Sequence, residues 1–260
     1  MEKTNISERL RRDKWHFNFD EFQETLEKSK KECPHLQKIN ELFFMLACTA
    51  ASLSKIPSFF DEDAYISDKY SQSLVFHCFL ELLRSSSCTI FLSGCGLYKN
   101  AYHNIRHVLE SIVQTLYIDT RHPYVDFPTK IEILKEVEDL PQYRGVQLLK
   151  ALEIDYKEEI MKEHIKINEE YKNLSKKVHF TYRQLLVTSK DFMESSLRST
   201  KADCNEVSNI YYSMRTVYDT FFFLFLIYFP EIRKPLSENI EFIETAKNHN
   251  LTLLLKVLWI

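Results

Sequence analysis

Residues 94–120 read GCGLYKNAYHNIRHVLESIVQTLYIDT and contain neither Gly nor Pro after the two opening glycines. At about 100° per residue, one side of the resulting helix carries His103, His107, Glu110 and Gln114. The opposite side is apolar and consists of Tyr98, Tyr102, Ile105, Leu109, Ile112, Val113 and Leu116. The stretch therefore predicts a long amphipathic helix around which the rest of the chain packs.

Arg106 lies at the edge of the apolar side of this helix, close to Val113 and Tyr117. A charged side chain at the edge of a buried face is costly unless it is paired, and Glu110 follows one turn later. We therefore predict an ion pair between Arg106 and Glu110.

The composition favours an all-α protein. Of the 260 residues, 45% are hydrophobic and 13% are aromatic, which suffices for a sizeable core. Three glycines and seven prolines leave little of the turn chemistry that sheets require. No glycine-rich phosphate loop can be written, which excludes kinases, P-loop nucleoside triphosphatases and Rossmann enzymes. We predict one domain over residues 1–260, a bundle of about 8–10 helices built around two long amphipathic helices.

Prolines and polar turns divide the chain into its expected elements. The expected helices span 19–31, 36–55, 64–93, 129–140, 142–152, 157–179 and 205–229, with a loop at 121–128. The serines at 85–87 leave open whether 64–93 is one kinked helix or two, and residues 180–187 form either a short strand or more helix. Residues 1–18 are expected to be a charged N-terminal arm, and 236–260 a C-terminal helical tail with one further helix and a final apolar stretch.

Several features bear on location and partners. The first residues are charged and carry no apolar core, so we expect neither a signal peptide nor a membrane anchor. We therefore expect a cytoplasmic protein. The apolar run 221–229 is about half of the roughly 20 residues that a membrane span needs, which favours a buried helix. The six cysteines include no CxxC pair, and we expect reduced core thiols. The net charge of −3 argues against a globally basic nucleic-acid binder.

The C-terminal run at 251–260, LTLLLKVLWI, is strongly apolar. Exposed apolar patches of that kind mark interfaces, so this run either docks on the same chain or covers a partner. We therefore expect a homodimer.

A second long helix contains EYKNLSKKVHFTY, residues 170–182. Tyr171, Ser175 and His179 recur every four residues beside an apolar seam, so they share one side of the helix. In one interpretation, His179 is a general acid or base next to a phosphate contact. In the other, Ser175 and His179 satisfy buried polar groups such as Arg106 and Glu110. In either case we predict that Arg106, Glu110 and His179 form one polar cluster between the two long helices.

These two helices resemble the HEPN-type and abortive-infection-like helical proteins of prokaryotes. The resemblance covers roughly residues 74–186 and is carried by Gly96, Tyr98, Ala101, Arg106 and Glu110, followed by Tyr171, Leu174, Ser175, Val178 and His179. It implies an endoribonuclease that needs no metal or cofactor, or an RNA-associated factor, in a defence or toxin–antitoxin system. It also implies pairing of two copies and leaves room for a partner protein.

The resemblance implies specific roles in this chain. His179, Ser175, Arg106 and Glu110 would be catalytic, and the RNA-binding residues would be Tyr171, Lys172, Asn173, Lys176 and Lys177. Active members carry an arginine that is separated from the histidine by four to six residues, whereas this chain has Lys172, Asn173 and Leu174 at those positions. The alternative is a non-catalytic helical interaction or dimerisation module in which the same cluster is structural.

His103 and His107 are one turn apart on the polar side of the central helix, with Glu110 nearby. That spacing can present two metal ligands. No HExxH motif or pair of ExxH motifs accompanies them, so we predict no metal site.

Overall fold

The structure, a computed structural model, describes residues 19–53, 70–139, 148, 150, 157–178 and 203–259. Within these ranges the regular secondary structure is entirely helical, which confirms the predicted all-α bundle. Its ten α-helices are α1 (Phe19–Glu32), α2 (Pro34–Leu53), α3 (Leu74–Gly94), α4 (Tyr98–Arg121), α5 (Phe127–Asp139), α6 (Lys157–Val178), α7 (Cys204–Tyr228), α8 (Arg233–Ser237), α9 (Ile240–Asn248) and α10 (Thr252–Leu258). A 3-10 turn, Pro230–Ile232, joins α7 to α8.

Helix α4 is the centre of the bundle, as its sequence predicts. It packs along α3 and also contacts α5, α6 and α7. Its apolar side is buried, with Ile112, Val113 and Leu116 fully enclosed. The turn from α3 into α4 depends on Gly96, whose φ of 75° lies in the left-handed region. There the amides of Gly96 and Leu97 donate to the last carbonyls of α3, which is a Schellman motif.

Helix α6 runs antiparallel to α4. Tyr171 contacts the middle of α4, whereas Lys177, nearly two turns later, lies over the ring of Tyr102 near the start of α4. Ile167 and Leu174 are buried in the seam, and Tyr171 and Val178 pack against the core. The predicted amphipathic helix at 157–179 is thus present as far as Val178.

The apolar run in α7 is a buried helix, as predicted. Phe221 and Phe225 are fully enclosed, and α7 packs against α2, α4 and α10. Among the described helices, α3 is long and apolar enough to cross a membrane by length and composition, and 44% of its apolar window is buried. The core helix of a soluble protein passes the same test, so this property is weak evidence for a span.

Helix α3 differs from the expectation for residues 64–93, because it begins at Leu74 and continues unbroken through the serines at 85–87. Ser73 caps its start by accepting from the amide of Phe76. The hydroxyls of Thr89 and Ser93 donate to carbonyls one turn earlier, so hydroxyl side chains are tolerated inside the helix. The predictions for residues 1–18, 64–69 and 180–187, and most of that for 142–152, lie outside the described residues.

The C-terminal tail contains three short helices where we expected one helix and an apolar stretch. Asn250 adopts a left-handed φ of 52° and ends α9, after which α10 turns back onto α7. Leu251, Leu254 and Val257 are fully enclosed within the chain. The tail therefore docks on its own chain and gives no reason by itself to expect a second copy.

The prediction of reduced thiols is wrong for two of the six cysteines. Cys33, between α1 and α2, forms a disulfide with Cys204, the first residue of α7. The two residues are 171 positions apart, and no sequence pattern indicates that they pair. The other four cysteines are free: Cys48, Cys78 and Cys95 are buried and Cys88 is exposed. Burial raises the pKa of the Cys78 thiol to about 12 and that of Cys95 to about 11, which keeps both protonated and unreactive.

A buried ion pair fixes the C-terminal end of α4. Asp119 is fully enclosed and accepts from Lys130 Nζ of α5 at 2.8 Å. Its other oxygen accepts from the Ser73 hydroxyl at 2.7 Å and from the Val75 amide at 3.0 Å, both at the start of α3. Lys130 also donates to the Gln72 carbonyl at 2.9 Å. One carboxylate thus joins three helices and complements the positive end of α3.

A second buried cluster joins the C-terminal helices to the core. His249, which ends α9, lies 3.0 Å from the Tyr211 hydroxyl through Nδ1 and 3.1 Å from Glu41 through Nε2. In the neutral ring, Nε2 donates to Glu41 and Nδ1 accepts from Tyr211. Burial lowers the pKa of His249, with Lys38 and Arg215 acting in the same direction and Glu41 opposing them.

Candidate functional site

Arg106, Glu110 and Tyr171 form a hydrogen-bonded cluster between α4 and α6. Arg106 Nη2 donates to the Tyr171 hydroxyl at 3.0 Å, and this hydroxyl donates to Glu110 Oε1 at 3.0 Å. Arg106 Nη2 lies 3.7 Å from Glu110 Oε2, and the guanidinium stacks 5.2 Å from the centre of the Tyr171 ring. The predicted Arg106–Glu110 pair is therefore present, with Tyr171 as its bridge. The side chains of Arg106 and Glu110 are 23% and 20% exposed, so the cluster lies at the surface edge of the seam.

The cluster lies on the outer surface that α4 and α6 share. Because α4 and α6 pack antiparallel, the exposed side chains next to Arg106 on α4 and next to Tyr171 on α6 lie on the same outer surface. We call this surface the α4–α6 groove, and we define it by Lys99, His103, Arg106 and Glu110 of α4 and by Tyr171, Lys172, Ser175 and Lys176 of α6. Lys99, His103, Lys172 and Lys176 are exposed.

Three buried polar atoms in the described part of the chain have no hydrogen-bond partner, and all lie on these two helices. They are Arg106 Nε, Ser175 Oγ and Glu170 Oε1. Buried polar atoms are nearly always satisfied, so three exceptions on one helix pair need an explanation. Ser175 lies one turn beyond Tyr171 on the same side of α6, toward the start of α4.

A surface pocket of about 310 Å³ adjoins the groove at the start of α4. Lys99, Asn100, His103 and Asn104 supply its polar wall, and Leu92 and Val178 supply the apolar part. The wall therefore offers a cation, two amides and an imidazole, which suit an anionic or hydrogen-bonding group. Val178, the last described residue of α6, lies in this wall.

The first turn of α7 closes the opposite side of the α4–α6 pair. Glu206 accepts from the Tyr102 hydroxyl at 2.9 Å and from Lys177 Nζ at 3.3 Å. Burial raises the pKa of Tyr102 and the carboxylate of Glu206 raises it further, so Tyr102 is a neutral donor. The amide of Asp203 donates to the Tyr98 hydroxyl. The start of α7 is thus fastened to α4 at two successive tyrosines.

The predicted site residues are therefore distributed over two sides of α6. Lys172, Ser175 and Lys176 lie on the groove side, whereas Lys177 pairs with Glu206 on the α7 side. Asn173 is exposed. His179 lies outside the described residues, so its predicted place in the cluster stays a prediction.

Two features of the site were absent from the sequence analysis. Glu206 was not considered, because it is 104 residues from Tyr102 and no local spacing connects the two. The pocket wall could have been found, since Lys99, His103 and Arg106 recur at helical spacing on one side of α4. Within the described ranges, no three His, Cys, Asp or Glu side chains are grouped as a metal would require.

Comparison of the chain with known protein families, with curated proteins and with solved structures found no match.

Proposed function

We propose that this chain is a HEPN-like, RNA-associated protein that contacts RNA along the α4–α6 groove in the cytoplasm of a prokaryote, within a defence or toxin–antitoxin system. The resemblance of residues 74–186 to HEPN-type proteins suggests the class. The groove supplies the chemistry, because its exposed lysines and its hydrogen-bond donors suit a phosphate backbone.

Two of the three unpartnered atoms, the donors Arg106 Nε and Ser175 Oγ, carry this proposal. If the cluster served only to hold α4 and α6 together, its buried polar atoms would be expected to satisfy one another. Instead Arg106 Nε is a donor without an acceptor, and Ser175 Oγ is a hydroxyl without any partner. Both atoms are donors, so they suit a phosphate oxygen and not an apolar ligand, and because both are enclosed the α4–α6 seam has to open for RNA to reach them.

The roles within the groove follow from charge. Arg106 is paired with Glu110, so this pair adds little net charge and acts through the directed donors of the guanidinium. Lys172 and Lys176 supply the positive charge that attracts RNA. In cleavage, His179 would transfer the proton, while Arg106 and Ser175 would hold the phosphate.

The binding part of the proposal can be tested with charge-matched variants. Lys172→Ala combined with Lys176→Ala should weaken RNA binding and lower the salt dependence by about one ion per lysine removed. Lys234→Ala combined with Lys247→Ala removes the same charge from exposed positions on α8 and α9 and is the control. Equal RNA affinity and equal salt dependence of the two double variants would contradict the groove as the RNA contact.

The cleavage part requires a separate assay. Purified protein is incubated with total RNA, with and without a chelator, and cleavage that the chelator does not affect is expected. His179→Gln retains hydrogen bonding and cannot act as an acid or base near neutral pH, so it should fold normally and abolish cleavage. Cleavage that survives this substitution would remove His179 from the mechanism.

A non-catalytic interaction module is the second candidate, and one observation favours it. The Tyr171 hydroxyl already forms hydrogen bonds with both Arg106 and Glu110, as expected of a contact that holds two helices together. This candidate predicts that Tyr171→Phe lowers stability in a protein that neither binds nor cleaves RNA. The RNA assays above therefore separate the two candidates.

A further inference from the structure

The disulfide Cys33–Cys204 connects a distant corner of the bundle to the candidate site. Cys33 lies between α1 and α2, and Cys204 opens α7. Glu206, half a turn after Cys204, is the residue that contacts Tyr102 and Lys177. The bond is therefore placed where it can control how the first turn of α7 lies on the α4–α6 pair.

We propose that this disulfide is a redox-reversible tether, and that its reduction releases the first turn of α7 from α4 and α6. The proposal assigns a regulation to the α4–α6 pair, and it rests on the proposed function for its consequence on RNA binding alone. Release of the turn is a structural property that can be measured without RNA.

The remaining polar contacts of the first turn lie near solvent, so the disulfide adds a covalent constraint that they lack. The Lys177–Glu206 pair has side chains 44% and 31% exposed, and exposed pairs of this kind contribute little. The hydrogen bonds of Tyr98 and Tyr102 are also near the surface, since Asp203 is exposed and Glu206 is partly exposed. Beyond this turn, Val207 and Ile210 are fully buried and keep the rest of α7 in the core. Reduction should therefore free one turn and leave the helix in place.

The exposure of the two cysteines decides which sulfur atom the reductant attacks first. Cys33 is 1% exposed, whereas Cys204 is partly exposed. A thiolate of a dithiol reductant attacks Cys204 Sγ, forms a mixed disulfide and expels Cys33 as a thiolate, which takes up a proton. The second thiol of the reductant then closes the reductant's own disulfide and releases Cys204 as a thiol. Two electrons and two protons pass from the reductant to the protein.

The reduced turn has little to replace the covalent bond. Cys204 Sγ lies 3.4 Å from the carbonyl oxygen of Glu32, so the new thiol can form one weak hydrogen bond there. When Glu206 moves away, Lys177 loses its neutralising partner, so the positive potential of the α4–α6 pair rises on the α7 side, next to the groove lysines. Reduced protein is therefore expected to bind RNA several-fold more tightly than oxidised protein.

The first measurement uses the protein itself. Protein purified without reductant is alkylated and analysed by mass spectrometry, where Cys88 should react and Cys33 and Cys204 should appear as one linked pair. Recovery of Cys33 and Cys204 as alkylated free thiols would overturn the proposal. A dithiol added before alkylation should expose both.

The second measurement is hydrogen exchange of oxidised and dithiol-treated protein. Amides of residues 207–210 should exchange faster after reduction, while those of residues 221–227 should not change. Cys204→Ser should reproduce the reduced pattern without reductant, and Cys88→Ser, at an exposed free thiol, is the control. Equal exchange at residues 207–210 in both redox states overturns the tether, and this readout applies to wild type even where a variant folds poorly.

RNA binding in the two redox states separates this proposal from the proposed function. Redox-dependent exchange without RNA binding in either state supports the tether and removes the RNA function. RNA binding together with hydrogen exchange that is the same in both redox states supports the RNA function and overturns the tether.

Discussion

Asp119→Asn tests the buried network at the C-terminal end of α4. The asparagine has the same shape, but one carboxylate oxygen becomes an amide donor and the negative charge is lost. In wild type, one oxygen accepts from Lys130 and the other accepts from both Ser73 and the Val75 amide. The variant therefore leaves a cation without its counterion and places a donor against a donor.

The size of the effect follows from burial. Lys130 is 2% exposed and keeps one neutral acceptor, the Gln72 carbonyl. Removing one partner of a buried ion pair costs about 3–5 kcal/mol. At roughly 2–4 °C per kcal/mol for a chain of this size, the thermal midpoint should fall by about 10 °C.

The assay is thermal and urea unfolding followed by circular dichroism, and α5 supplies a matched control. Glu132 and Lys135 form a pair at 2.6 Å, as short as the buried one, with side chains 67% and 63% exposed. Glu132→Gln should change the free energy of unfolding by less than about 0.5 kcal/mol, because water screens the exposed pair. The contrast with an exposed pair of similar length separates the contribution of the buried network from that of a surface ion pair.

A double variant examines the coupling. Asp119→Asn combined with Lys130→Met removes both charges, so its cost should be smaller than the sum of the two single substitutions by on the order of 2 kcal/mol. The reasoning is refuted if Asp119→Asn costs no more than Glu132→Gln, or if the two single costs simply add.

Three further outcomes are expected. Tyr171→Phe removes the hydroxyl between Arg106 and Glu110 and should cost about 1 kcal/mol in urea unfolding, since both groups are partly solvated; no change would mean that the bridge contributes nothing. The lowered pKa of His249 means that the unfolded chain takes up its proton first, so stability should be complete above about pH 6.5 and fall below it; His249→Gln should flatten this dependence, and parallel curves would contradict the assignment. Light scattering should give a dimer at micromolar concentration, as the HEPN resemblance implies, and a monomer at every accessible concentration would remove that proposal.

The helical periodicity of α4 and α6 was sufficient to predict both helices, because burial of one side decides which residues are apolar. The Arg106–Glu110 pair was predictable for the same reason, since residues four apart on a helix are neighbours by geometry. Such local rules hold before any tertiary contact forms.

The contacts that the sequence analysis missed are long-range. Cys33 with Cys204 and Tyr102 with Glu206 depend on how helices pack, and neither spacing carries a signal. Asp119 did carry one, because it occupies a buried position on α4 where an acid is costly. Its partner Lys130 follows a proline-containing loop, whose path the sequence does not determine.

The two ends of α4 are attached in unlike ways, which gives this helix a mechanical polarity. At one end, Asp119 is clamped by charges that water does not reach. At the other end, Tyr98 and Tyr102 lie about 32 Å and about 26 Å away along the axis and hold the first turn of α7 through contacts near solvent. A force that pulls α4 away from its neighbours should therefore break the contacts of Tyr98 first and those of Asp119 last.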